Sequence, residues 1–272
     1  MLHAKKYCYE KVAQPTFPLY YSLRKLTPVE RDQIVAVHAF YREIEEIIFE
    51  CQDYELGLTK LKWWRSEIAQ LGLERLDHPV MIVLQETGEF LPRVQQRLLN
   101  IVEGFRENTV PKLFVSFEDI VVHWMRTAGE RELLINEILQ SEEIVNSEII
   151  YQCMLVIEMV NYIQQLRKYL RRDIIYFSAD ELQKFGVTQN MLREFVTTPE
   201  IKKLLQYQVE KIERAYAVTK TLSRTQRRKL SHLMVRCEIA RAILHEIQKS
   251  DFCVLENWIG LTPLRYAWIA FS

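Results

Sequence analysis

The chain has 272 residues, with 36 Lys+Arg balanced by 36 Asp+Glu, 49% apolar and 26% charged residues. That composition belongs to a folded globule and excludes disorder; the balanced charge argues against sequence-independent nucleic-acid binding, which needs surplus cations. Only 7 Gly and 8 Pro punctuate the chain, too few for the turn every ~8–12 residues of a sandwich or barrel, so helices are expected.

In chain order, Met1-Leu2-His3-Ala4-Lys5-Lys6 leads into mixed polar sequence and not into an apolar signal region. Thr27-Pro28 reads as an N-cap followed by proline at the first helical position. From there Ile34, Val37, Phe40, Tyr41, Ile44, Ile47 and Ile48 recur at steps of three and four, predicting a buried stripe on a helix to about Glu50. Leu58, Leu61, Trp64 and Ile68 mark a second helix. His78-Pro79 and Leu91-Pro92 each open another, and Ser116-Phe117-Glu118-Asp119 caps one running to about Glu137.

The stretch from Glu143 to Arg172 is apolar on most faces up to Ile163 and then strongly basic, which predicts a central, buried helix. Helices are also expected from Pro199 to about Leu222 and from Thr225 to Lys249, ahead of a short aromatic segment from Cys253 to Phe271. The expectation is one all-α domain over residues 1–272, a bundle of about ten helices. No run approaches the ~18–20 apolar residues that span a bilayer. Five scattered cysteines without a Cys-x-x-Cys pair suit the reduced thiols of a cytoplasmic protein, at most peripheral to a membrane. The six histidines form no cluster with them at zinc-ligand spacing.

Ala39-Phe40-Tyr41-Arg42 followed by Glu45-Glu46-Ile47-Ile48 resembles the first signature of the squalene/phytoene synthase family, roughly Ala-Phe-Cys-Arg, two residues, then Asp-Asp-x-x-Asp. Leu61-Lys62-Trp63-Trp64-Arg65-Ser66-Glu67-Ile68 is similar to the family's Leu-x-Trp-Trp-Arg-x-Glu-Leu. His78-Pro79-Val80, Glu103-Gly104-Phe105 and Arg126-Thr127-Ala128-Gly129 follow in the family's order. So do Asn161 with Asp173-Ile174-Ile175-Tyr176, and Leu264 to Ala270 at the end. The resemblance implies a single-domain helical bundle of the class I terpenoid synthase type with a central pocket. It also implies head-to-head coupling of two prenyl diphosphates, with Mg2+ helping diphosphate to leave. The metal requires carboxylates at i and i+4 on one helix face, because magnesium takes hard oxygen ligands.

This chain departs from that pattern. In the first motif the two aspartates are Glu45 and Glu46, and the third position is Phe49. Glu46 and Glu50 still form an i, i+4 pair, but turned about 100° around the helix. In the second motif, aligned on Asn161, the aspartate positions hold Gln165 and Tyr169, and the acidic residue before the second is Lys168. Small residues expected along a prenyl tunnel are Met154, Val156 and Glu158, and His123-Trp124-Met125 stands where the family has Tyr-Cys-Tyr.

The candidate site therefore comprises Glu45, Glu46 and Glu50 as residual metal ligands, Asn161, Gln165 and Tyr169 as second-motif positions, Arg42, Arg171 and Arg172 as anion-binding groups, and Met154, Val156, Glu158 and His123 as pocket lining. The plainer readings are an acidic helix face with Arg42 paired to Glu45 or Glu46, a basic helix end compensating its dipole around Arg167 to Arg172, and a packed core histidine at His123. Asn161, in an apolar run, is expected to need a hydrogen-bond partner. Trp63 and Trp64 are expected in the core, and Trp258, Leu261, Leu264 and Trp268 to pack back on the bundle rather than on a membrane or partner. The reading favoured is a squalene/phytoene synthase-like protein that has lost catalysis, a pseudoenzyme acting by binding a prenyl or lipid ligand or a protein partner. The alternative is an active prenyltransferase, which alone would use Mg2+. A metal-free carrier holding a lipid or prenyl phosphate near Arg171 is a third reading.

Overall fold

Every regular element in the computed structural model is helical; it describes residues 1–51, 53–73, 76–107, 113–139 and 147–271, with the side chains of 88–90 left aside. The α-helices are α1 (Leu2–Val12), α2 (Pro18–Ser22), α3 (Pro28–Glu50), α4 (Tyr54–Ala69), α5 (Pro79–Leu84), α6 (Leu91–Arg106), α7 (Phe117–Trp124) and α8 (Glu130–Ile138). They continue as α9 (Ser147–Gln164), α10 (Leu166–Leu170), α11 (Ala179–Phe185), α12 (Gln189–Arg193), α13 (Pro199–Thr219), α14 (Arg224–Lys229), α15 (Ser231–Lys249) and α16 (Pro263–Phe271). Residues 143–146, where the long apolar helix was expected to begin, lie outside the described residues.

By their internal contacts the residues form two compact units, Met1–Val110 with Met125–Ile150, and Pro111–Trp124 with Tyr151–Ser272. In the first unit α3 is the core element, packed against α1, α5 and α8. Its start follows the expected chemistry: the Thr27 hydroxyl accepts from Glu30 N, and the Glu30 carboxylate accepts from Thr27 N at 2.6 Å. Ile34, Val37, Phe40 and Ile44 are fully buried. Nothing in the sequence announces α1, whose buried residues Ala4 and Cys8 are too few and small to set a visible period. Residues Met125–Gly129 form a single π-helical turn between α7 and α8. Gly104 on α6 packs closely on that turn: a Cβ there would meet Arg126 O at 2.6 Å.

In the second unit the expected Glu143–Arg172 helix stops at Gln164. Gln165 leaves helical geometry at φ −101, ψ 15, and α10 restarts after it. Two long-range bonds hold the break: Gln164 Nε2 donates to Ile259 O at 2.7 Å, and Arg167 Nη1 to Leu255 O at 3.1 Å. The expected Thr225–Lys249 helix is likewise two, α14 and α15, with the buried Leu230 at the corner. Ser178, Thr198 and Ser223 cap α11, α13 and α14 through their hydroxyls. Gly186 ends α11 at φ 66, a left-handed position glycine adopts without strain.

Two packing expectations are corrected. Trp64 is buried, but Trp63 is 45% exposed; the inward face of α4 is Leu61, Trp64 and Ile68, and a neighbour one residue off sits about 100° away. Trp258, Leu264 and Trp268 are also exposed and Leu261 half-buried; on α16 the inward residues are Tyr266 and Ala270, which leaves Leu264 and Trp268 facing out. Among the described residues no helix is long and apolar enough to cross a membrane. All five cysteines are free: Cys8, Cys153 and Cys237 are buried, Cys51 and Cys253 half-buried.

Candidate functional site

The first-motif carboxylates occupy the last two turns of α3, and cations hold them. Arg42 forks between its neighbours, Nη1 donating to Glu45 Oε2 at 2.6 Å and Nε to Glu46 Oε1 at 2.9 Å. The other Glu46 oxygen accepts from Lys11 Nζ at 2.7 Å, and Lys11 lies equally close to Glu43. Tyr7, also from α1, donates its hydroxyl to Glu43. Burial opposes the Glu46 charge, yet the Lys11 ammonium and the Arg42 guanidinium outweigh it and hold this carboxyl below its usual range. Burial likewise pulls Lys11 down, but Glu43 and Glu46 raise it above a free lysine. Burial and the bond to Glu43 push the Tyr7 phenol up to about 12.

Glu46 and Glu50 share a recess of about 270 Å³ with Glu43, Ile47, Lys60, Trp63, Trp64 and His78. Glu45 is not part of its wall, and the Phe49 ring, at the third acidic position of the motif, is buried. Sequence reasoning missed Glu43, although Glu43, Glu46 and Glu50 at i, i+3 and i+7 share one helix face. It also missed Lys11 and Tyr7, which nothing in the linear pattern ties to α3. The Trp63 ring packs edge to face on Trp64 and His78, and Trp64 and His78 lie tilted against each other, 4.6–6.0 Å between centroids. Burial lowers the His78 pKa against the pull of Glu43 and Glu67. Among the described residues, no three His, Cys, Asp or Glu side chains converge as a metal-binding group.

In the second unit the second-motif positions do not form an acidic face. Asn161 and Gln165 are half-buried and Tyr169 is buried. The Asn161 side chain has no hydrogen-bond partner among the described residues, and its partial exposure removes the need expected for one. Tyr169 joins a cluster of rings with Tyr162 and Tyr176. The Tyr162 hydroxyl accepts from Tyr176 N at 3.0 Å, and burial drives its phenol well above the ordinary range. His123 is buried, stacked on Tyr176 at 5.5 Å, with Nε2 3.2 Å from the Tyr176 hydroxyl. The sequence offered no such partner. Arg171 and Arg172 are exposed and, among the described residues, have no ion-pair partner.

A larger groove of about 860 Å³ opens in the same unit, with Leu155, Met159, Val121 and Val218 along its apolar wall. Met154, Val156, Glu158 and His123 do not line it; Met154 and Val156 are fully buried and Glu158 is half-buried. At one side Glu181 accepts from Gln208 Nε2 at 2.8 Å, from Ser178 N at 3.0 Å and from Lys211. The Lys211 ammonium sits 3.4 Å from the Phe117 ring centroid, and burial lowers its pKa despite the Glu181 pairing.

The profile of the family described as "Squalene/phytoene synthase" matches residues 13–265. A chloroplastic phytoene synthase of Narcissus pseudonarcissus is 21% identical over 255 residues, covering 90% of this chain and 60% of that protein. A phytoene synthase of Mycobacterium tuberculosis is 23% identical over 168 residues, 62% of this chain and 55% of that one. This chain thus spans between half and two thirds of the length of these relatives. A dehydrosqualene synthase solved with a ligand superposes with a TM-score of 0.81 at 16% identity, over 99% of this chain and 95% of that chain. A squalene synthase, HpnC, from Alicyclobacillus acidocaldarius does so at 0.73 and 16%, over 92% and 95%. These likenesses establish the all-α terpenoid synthase fold, and with the profile match over nearly the whole chain they show that it belongs to the squalene/phytoene synthase family.

Proposed function

We propose that this family member binds without coupling prenyl diphosphates: a pseudoenzyme that acts by holding a prenyl or lipid ligand or a protein partner. The observation that carries the reading is the pairing of the first-motif glutamates with Arg42 and Lys11. A divalent cation would have to displace both cations before gaining these carboxylates. On donor chemistry the motif residues do not fit two acidic magnesium arms: Phe49 supplies no oxygen, and Gln165 and Tyr169 supply neutral ones. The test is incubation of the purified protein with farnesyl or geranylgeranyl diphosphate and Mg2+, reading hydrocarbon by mass spectrometry. No product over background is expected, and steady formation of a coupled hydrocarbon overturns the reading.

One observation favours the competing reading, a magnesium-dependent prenyltransferase: Glu46 and Glu50 line the same recess. It requires prenyl diphosphate to bind more tightly with Mg2+ than without, and to do so less in Glu46→Gln. Calorimetry showing equal affinity in both conditions removes it.

A further inference from the structure

In the groove of the second unit, Tyr207, Lys211, Ala215 and Val218 follow at steps of four and three along α13, a line of about 16 Å on one helix face. Val121 and Val122 of α7, with Leu155 and Met159 of α9, complete the apolar lining. Leu155, Met159 and Ala215 are buried, while Val122 is 48% exposed. On α9 the groove takes Gln152, Leu155 and Met159; Met154, Glu158 and Asn161 lie on another face, about 120° round the helix. The groove is therefore separate from the second-motif positions, and its volume of about 860 Å³ is that of a small-molecule site.

Two ammoniums gather at the Tyr207 end. Lys184 and Lys211 both sit over the Tyr207 ring, 3.9 and 4.9 Å from its centroid. Lys184 lies against rings, and no carboxylate pairs with it among the described residues. The rim as a whole holds three cations, Lys184, Lys211 and Arg214, and three carboxylates, Glu118, Asp180 and Glu181. The carboxylates are the better satisfied. Glu181 accepts from Lys211, Gln208, Ser178 N and Ser178 Oγ. Glu118 and Asp180 stand in the first turns of α7 and α11, where the helix dipole favours negative charge. The amines are not so well served: burial lowers the Lys211 pKa even beside Glu181, so a second anion there would be favoured.

We propose that this groove binds a single-chain lipid ending in a carboxylate, a fatty acid, with its head between Lys184 and Lys211 and its chain along Leu155, Val122 and Val218. A bare anion would leave the apolar lining in water, and an uncharged chain would leave Lys184 unanswered. The proposal rests on the reading that this family member holds a lipid, and gives that lipid a place and a headgroup. The two fail separately. A coupled hydrocarbon with fatty-acid binding intact removes the pseudoenzyme alone; absence of both product and fatty-acid binding removes this site alone.

The test is calorimetric titration of the full chain, without Mg2+, with dodecanoate, dodecanol and dodecyltrimethylammonium below micelle-forming concentrations. Dodecanoate is expected to bind at a single site, at least about tenfold more tightly than the alcohol, with the cationic amphiphile weakest. Lys184→Gln should weaken dodecanoate about fivefold and leave dodecanol unchanged. Val122→Glu should weaken both by at least about tenfold, since it sets a charge against the chain. Both side chains are exposed, and an unchanged urea midpoint shows that the variants are folded. No binding of dodecanoate, equal binding of acid and alcohol, or equal binding by wild type and folded variants overturns the proposal. So does tightest binding of the ammonium amphiphile, which would make Glu118 and Asp180 the recognising groups. A wild-type dimer in light scattering that Val122→Glu turns monomeric, with dodecanoate binding unaffected, overturns it as well.

Discussion

The Lys11 ammonium lies 2.7 Å from the Glu46 carboxylate, across 35 residues of sequence. This contact, with the matching one to Glu43, fastens α1 to the acidic end of α3. Replacing the lysine leaves half-buried Glu46 with Arg42 alone and half-buried Glu43 with the neutral Tyr7 hydroxyl as its donor. Lys11→Met is expected to cost about 1–2 kcal/mol, since solvent screens part of the pairing. Urea unfolding measures it, and an unchanged midpoint contradicts the clamp.

The same pairing sets a pH window. Glu46 is held below its ordinary value in the fold, so its contribution is complete above the unfolded carboxylate pKa and disappears as pH falls through the lower folded value. Lys11 is raised, so its contribution is complete below the unfolded lysine pKa and disappears as pH rises through the higher folded one. The stability gap between wild type and Glu46→Gln should be constant from about pH 5 to 9 and close below about pH 4. Thermal melts across that range read it directly.

Phe49 stands where the motif's third carboxylate would be, and its ring is 7% exposed. Phe49→Asp would recreate an acidic i, i+4 pair with Glu45 only by burying a charge and opening a hole. A loss of about 3–5 kcal/mol is expected, seen as a large drop in melting temperature. A stable, folded Phe49→Asp protein would mean that the position is less enclosed than its burial indicates.

Glu181 collects donors from Ser178, Gln208 and Lys211 while almost wholly buried. Glu181→Ala strands the ammonium among aromatic rings and is expected to cost about 3–5 kcal/mol. Adding Lys211→Met should recover much of that. A double variant no more stable than the single would show that the lysine charge is not the source of the loss.

Gly104 has no room for a methyl group: the nearest atoms are Arg126 O at 2.6 Å and Arg126 C at 3.0 Å, both backbone. Gly104→Ala must push α6 off the π-helical turn, for an expected loss of about 1–3 kcal/mol. Chemical unfolding with no change in midpoint would contradict so close an approach.

Local chemistry was the legible part of this fold. Thr27-Pro28 with Glu30 announced α3, and His78-Pro79 announced α5, because caps and proline act within a single turn. The break at Gln165 was hidden, because the groups that hold it, Leu255 O and Ile259 O, are backbone atoms about ninety residues away. The Arg42 fork with Glu45 and Glu46 was readable from i, i+3 and i+4 spacing. Lys11 and Tyr7 were not, since long-range pairs leave no periodic trace. The outward Trp63 was misjudged because hydrophobicity alone does not say which of two adjacent tryptophans faces in; the 3.6-residue period does.

The distribution of thiols equips the molecule with its own reporters. Cys51 and Cys253 are partly accessible and sit one in each unit, so a maleimide should modify both within the dead time of a slow assay. Cys8 in the first unit, its thiol pushed up to about 12 chiefly by burial, and Cys153 and Cys237 in the second should react only when their own unit opens. Alkylation followed by peptide mapping would therefore time the two openings side by side in one tube, with no label introduced.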